Sequence, residues 1–236
     1  MQRQSMLEGW PLTKAVKLII IINSAIWVLT VISARLGYTS VYEEMALTPL
    51  LVYPGLHVWQ LFTYMWVHSL NDFFHIVLNM LFLWMFGGTL EAVWGTRAFV
   101  KFYLICGVGA GIIVYLVGIL FYPATPTVGV SGAIYGIVVA WALTNPNRLI
   151  YLFGIFPMKG KHFVLIPIGF AFLDFLVGGT GISHAAHLGG MAVGALLVTG
   201  LWRPYRLKNR LRYYYLKRKL KVLSGDGQPK NRNYKN

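Results

Sequence analysis

The stretch Gly129-Val130-Ser131-Gly132-Ala133-Ile134-Tyr135-Gly136-Ile137-Val138-Val139-Ala140-Trp141-Ala142-Leu143 decides how the rest of the chain is read. It is an apolar run of helical character that stops at Asn145-Pro146, yet a serine stands at its head. Gly132, Gly136 and Ala140 recur every four residues, and small side chains in that register let two helix backbones approach closely in a membrane. A second run, Ala186-His187-Leu188-Gly189-Gly190 and onward, carries Ala186, Gly190 and Gly194 at the same spacing with a histidine on that face. Polar and ionisable groups are expensive in hydrocarbon and are rarely kept there without a task, so a serine and a histidine at matching depth suggest hydrolysis within the bilayer.

Composition defines the solvent. The 236 residues are 57% hydrophobic and 12% charged, with a mean hydropathy of +0.60. Soluble domains carry about 25% charged residues, so the chain reads as an all-α integral membrane protein. Apolar runs and their breakers give six spans of roughly the length a bilayer requires. They cover about 15–32, 73–90, 99–121, 131–145, 163–177 and 184–202, flanked by a cytoplasmic N-terminus over 1–14 and a basic cytoplasmic tail over 203–236. The polar start of the chain shows no cleavage pattern after the first run, so that run is expected to be a retained helix. Cys106 is the only cysteine, which excludes an intrachain disulfide and a thiolate metal cluster. No cofactor and no metal are expected.

Charge orients the bundle. Arg3, Lys14, Lys17, Arg97, Lys101, Arg148, Lys159, Lys161 and every basic residue from Arg203 onward fall on one side, and only Arg35 falls on the other. The positive-inside rule therefore expects both termini in the cytoplasm, at the inner membrane if the source is prokaryotic. Most of the formal charge of +14 lies in the tail, where Lys217-Arg218-Lys219 follows Tyr213, Tyr214 and Tyr215. That composition suits adhesion to anionic lipid. No motif supports nucleic-acid binding.

In this orientation the second, fourth and sixth spans run the same way, which brings His75, Asn79, Ser131 and His187 to similar depth. Tyr135 lies one turn below Ser131 on its face, where it could stack on the imidazole. Each feature also has a plainer reading: the glycine-flanked serine as a packing notch, the histidines as interfacial residues, and His75 with Asn79 as cross-helix hydrogen bonds. A transporter with a proton relay through His184 and His187 is another alternative, but it should show repeated halves, and none is seen.

The motifs taken in order resemble the rhomboid family of intramembrane serine proteases. They are His75-x-x-x-Asn79, Leu83-Trp84-Met85-Phe86-Gly87, Glu91-x-x-x-Gly95-Thr96-Arg97-Ala98-Phe99, Gly129-Val130-Ser131-Gly132 with Tyr135-Gly136, and Ala186-His187-x-x-Gly190-x-x-x-Gly194. The resemblance spans about Trp59 to Gly194 and implies a six-helix, rhomboid-like bundle that cleaves transmembrane segments of membrane proteins. It implies Ser131 as nucleophile and His187 as general base. It further implies an oxyanion hole from His75, Asn79 and the Ser131 N–H, with Tyr135 positioning His187. A catalytically silent relative that binds transmembrane clients is the alternative.

The chain departs from the family pattern in two places. Trp59 is followed by Gln60 where an arginine is usual, and His68 precedes His75 by seven residues instead of five. The aromatic-rich segment 34–72 is expected to lie in the outer interface. Gly178-Gly179-Thr180-Gly181 has the composition of either an opening cap or a plain connection. Asp174 suggests no role.

Overall fold

The computed structural model describes residues 10–152, 156–166, 168–169 and 181–201. The chain divides into two compact units, Met1–Val198 and Thr199–Asn236, and the site lies in the first. Among the described residues three helices are long and apolar enough to cross a membrane, namely Lys14–Arg35, Phe73–Trp94 and Thr96–Phe121, and two shorter apolar helices follow. The protein is an integral membrane protein of mainly helical structure. Helices lie over the first, second, third, fourth and sixth of the expected spans. Most of the fifth, with Asp174, the stretch 178–180 and the basic tail, lies outside the described residues.

Helix α1 is Lys14–Arg35, and the long connection after it folds into α2 (Ser40–Met45), α3 (Pro49–Val52), α4 (Gln60–Thr63) and a 3-10 turn at Tyr64–Trp66. The second span is one continuous helical segment of three parts. These are α5 (Phe73–Phe82), a wide π-helical turn (Leu83–Gly87) and α6 (Gly88–Trp94). Helix α7 (Thr96–Phe121) leads to α8 (Ser131–Thr144), which has only 14 residues. The chain then forms an antiparallel hairpin of β1 (Leu149–Leu152) and β2 (Phe156–Lys159), an element absent from the sequence-based expectation, before α9 (Gly160–Phe163) and α10 (Gly181–Thr199).

The core is centred on α8, whose Ile137, Ala140 and Trp141 are fully enclosed among Phe86, Phe99, Tyr103 and Cys106. The small-residue stripes bring α8 and α10 together. A Cβ on Gly190 would overlap the Gly132 carbonyl oxygen, and one on Gly194 would lie 2.6 Å from that of Gly136. Those distances leave no room for a side chain, so this contact depends on glycine.

The Trp59-Gln60 departure resolves into a local anchor. Buried Gln60 accepts from the Thr48 N–H at 3.0 Å and donates to the Glu44 carbonyl at 3.3 Å, and the Trp59 indole donates to that same carbonyl. A neutral amide thus ties the connection with one donor and one acceptor, whereas an arginine could only donate.

Candidate active site

Ser131 is the first residue of α8, and the backbone before it is tightly constrained. The Thr127 N–H donates to the Leu47 carbonyl and the Leu47 N–H donates back, each at 2.9 Å, while the Gly129 N–H donates to the Tyr64 carbonyl at 2.9 Å. Tyr64 is itself held by its hydroxyl, which donates to the Gly107 carbonyl at 2.7 Å. Gly129 has φ +109°, a left-handed conformation that side chains disfavour, and a Cβ there would lie 2.7 Å from His75 Nε2. The sequence placed Gly129 in a motif without indicating that this backbone must meet His75.

On the other side, α10 carries His187. Its Nε2 lies 3.0 Å from Ser131 Oγ. The Tyr135 ring stacks on the imidazole with centroids 4.1 Å apart and planes inclined by 12°. A hydroxyl donating to Nε2 leaves the proton of a neutral imidazole on Nδ1, the state in which Nε2 can accept a second proton.

His75 and Asn79 approach from α5. The Ser69 N–H donates to His75 Nδ1 at 3.3 Å, so a neutral His75 carries its proton on Nε2, the atom facing Gly129. The turn before the helix is built for this. Ser69 Oγ accepts from the Asp72 N–H at 3.1 Å, Asp72 Oδ1 accepts from the Phe74 and His75 N–H groups, and the Trp27 indole donates to the Ser69 carbonyl. Asn79 is buried, and its Nδ2 has no hydrogen-bond partner among the described residues. That unpaired donor would lie 3.9 Å from a Cβ on Gly129, close to the backbone that leads into Ser131.

His68 stands beside this group, its ring edge-on to His75 at 5.3 Å. It is fully enclosed, and both ring nitrogens lack partners among the described residues. Burial, with the neighbouring His75 as a smaller cause, lowers its pKa to about 3, so it stays neutral at physiological pH. His184, one turn before His187, is also buried. Among the described residues no three His, Cys, Asp or Glu side chains are grouped to hold a metal ion.

The arrangement thus contains a hydroxyl on an imidazole, a ring stacked behind that imidazole, and two side-chain N–H donors directed at the backbone beside the hydroxyl. It has the parts needed for acyl transfer.

The Rhomboid domain family matches residues 55–204. RHOMBOID-like protein 12, mitochondrial, of Arabidopsis thaliana is 31% identical over 157 residues, covering 60% of this chain and 45% of the relative. Rhomboid protein 1, mitochondrial, of Saccharomyces cerevisiae is 29% identical over 137 residues, or 54% and 38% of the two chains. The presenilin-associated rhomboid-like protein, mitochondrial, of Homo sapiens is 30% identical over 128 residues, or 53% and 34%. The chain belongs to the rhomboid family. It spans less than half the length of these curated relatives, and their mitochondrial names lend no support to the prokaryotic inner membrane.

Proposed function

We propose that this protein is an intramembrane serine endopeptidase that cleaves transmembrane segments of membrane proteins through a Ser131–His187 dyad. The observation that carries the reading is the 3.0 Å contact between Ser131 Oγ and His187 Nε2, with Tyr135 stacked on the imidazole. In acylation, Ser131 Oγ attacks the scissile carbonyl carbon and its proton passes to His187 Nε2. The negative charge that develops on the carbonyl oxygen is met by His75 Nε2–H, Asn79 Nδ2–H and the Ser131 N–H. Asn79 gains from this geometry because a buried donor without a partner is costly until an acceptor arrives.

Collapse of the tetrahedral intermediate breaks the C–N bond, and His187 returns the proton to the leaving amine. Water then attacks the acyl-serine with His187 as base, releasing the carboxylate product and restoring the hydroxyl. The proposal includes a six-span bundle over 15–202 with both termini cytoplasmic, supported by the Lys and Arg asymmetry. It also includes a tail over 203–236 that adheres to anionic lipid.

Labelling with a fluorophosphonate probe tests the chemistry without a known substrate. Label is expected on Ser131, absent in Ser131→Ala, sharply reduced in His187→Ala and nearly normal in His184→Ala. A wild-type protein that is folded but takes no label would favour the client-binding alternative.

A further inference from the structure

The β1–β2 hairpin takes no part in this chemistry, yet it sits at the opposite end of the helix that carries Ser131. We propose that the hairpin lies in the lipid headgroup layer and, through its fixed joint to α8, sets the depth of Ser131 in the bilayer. This rests on the proposed function only in treating Ser131 as the nucleophile.

The Arg148 N–H donates to the Asn145 carbonyl at 3.2 Å, the Gly160 N–H to the Arg148 carbonyl at 2.9 Å and the Lys161 N–H to the Pro146 carbonyl at 3.0 Å. The Arg148 guanidinium lies over the rings of Trp10 and Trp141, 5.2 and 5.9 Å from their centroids. Ile150 is 3% exposed and belongs to the core, with Met158 opposite it in the ladder packed against the same core. The hairpin therefore cannot move far without moving the end of α8.

The exposed residues of the hairpin are apolar except for Lys159. Leu149, Tyr151 and Phe156 are 49%, 50% and 63% exposed, and Pro157 faces outward opposite Tyr151. Exposed Lys159 and Lys161 flank this surface, and lysine stems can lie along apolar surface while their ammonium groups reach lipid phosphate. Among the described residues the sheet has two strands, which leaves an outer backbone edge on each. Such edges are not tolerated in hydrocarbon, so the fitting depth is the headgroup layer, where tyrosine is also favoured.

Length supplies the consequence. Helix α8 has 14 residues, about 21 Å at ~1.5 Å per residue, against a hydrocarbon core of about 30 Å. With one end fixed at one interface and the axis along the membrane normal, Ser131 lies about 9 Å inside the opposite one. The nucleophile is thereby held within the membrane but near its surface.

The test uses single cysteines on a Cys106→Ala background, in vesicles of phosphatidylcholine and phosphatidylglycerol. An environment-sensitive dye at Phe156→Cys is expected to be quenched by headgroup-spin-labelled lipid and protected from iodide. Strong iodide quenching would place the hairpin in water, and protection from both quenchers would mean that a protein surface covers it. Either result overturns the anchor.

A dye at Ser131→Cys reads the second half of the proposal, and its signal does not depend on turnover. Lengthening the acyl chains should carry this dye away from the opposite surface while leaving the Phe156→Cys signal unchanged, and adding Tyr151→Asp should shift the depth at position 131. An unchanged depth at position 131 in the longer-chain bilayer overturns the depth-setting role, even if the aspartate variant folds poorly. Fluorophosphonate labelling of the native serine decides the protease reading separately.

Discussion

The Phe73–Trp94 segment buries polar groups at both ends and treats them in opposite ways. Near its start, Asn79 keeps an amide donor without a partner among the described residues, and His75 directs Nε2 at the Gly129 backbone. Near its end, the Glu91 carboxylate accepts from the Ala15 and Val16 N–H groups at 2.9 and 3.0 Å, from the Thr96 hydroxyl at 2.7 Å and from the Thr13 hydroxyl. Those amides belong to the first turn of α1, where a helix has donors to spare and favours negative charge. A filled set of hydrogen bonds holds two helices together. An unfilled one has capacity left for a reacting group.

The contrast can be broken by substitution. The largest effect is expected at the dyad: Ser131→Ala and His187→Ala should each lower cleavage of a reporter transmembrane substrate by about 10⁴-fold or more, with the double variant scarcely worse, because parts of one unit are not additive. Additive losses would mean that the two residues act separately. Asn79→Ala should lower kcat by about 10² to 10³ with thermal stability unchanged or slightly raised, since a costly unpaired donor disappears. A fall in stability without a fall in kcat would make Asn79 a structural residue like Glu91.

Gly190→Val should reduce activity by roughly a hundredfold while leaving every reactive group in place, because its side chain would separate α8 from α10. Normal turnover in that variant would show that the close contact does not matter. Glu91→Ala should give the reverse of Asn79→Ala, a loss of about 3 kcal/mol from four stranded donors, with the surviving folded fraction still labelled by fluorophosphonate. A pH slope in stability is expected from His68. An unfolded histidine takes up a proton near 6.5, whereas buried His68 resists until about 3, so stability should fall as pH drops through that window. Denaturation of His68→Gln across the same range should give a flatter curve.

Much of this was legible in the sequence, because helix-length hydrophobicity and four-residue spacing are written along the chain. Helices α1, α7 and α8 and the glycine stripe on α10 fall where those signals put them. Features that depend on distant backbone were not. Glu91 stood in a quoted motif with no task, since nothing local shows that α1 begins against it. Gly129 carried no sign of its φ or of His75. The hairpin is not legible because the apolar run from Leu149 to Met158, interrupted by Gly154 and Pro157, cannot be told from a buried helix fragment by periodicity alone, and its charged flanks read simply as a loop. The β-branched and aromatic residues around Gly154 were the available signal.

The wide turn at Leu83–Gly87 has a consequence for the contrast between the two ends of its segment. At about 100° per residue, the twelve steps from Asn79 to Glu91 in a regular α-helix would set the two side chains roughly 120° apart, on different faces of the helix. A π-helical turn takes up about one extra residue, which brings the angle down to roughly 20°. Both side chains are in fact buried, Asn79 at 7% exposure and Glu91 at 4%. The turn acts as a phase corrector between two halves of one helix, so deleting a single residue within it would preserve the helix and the hydrophobicity of the span while rotating either the amide or the carboxylate out of the protein.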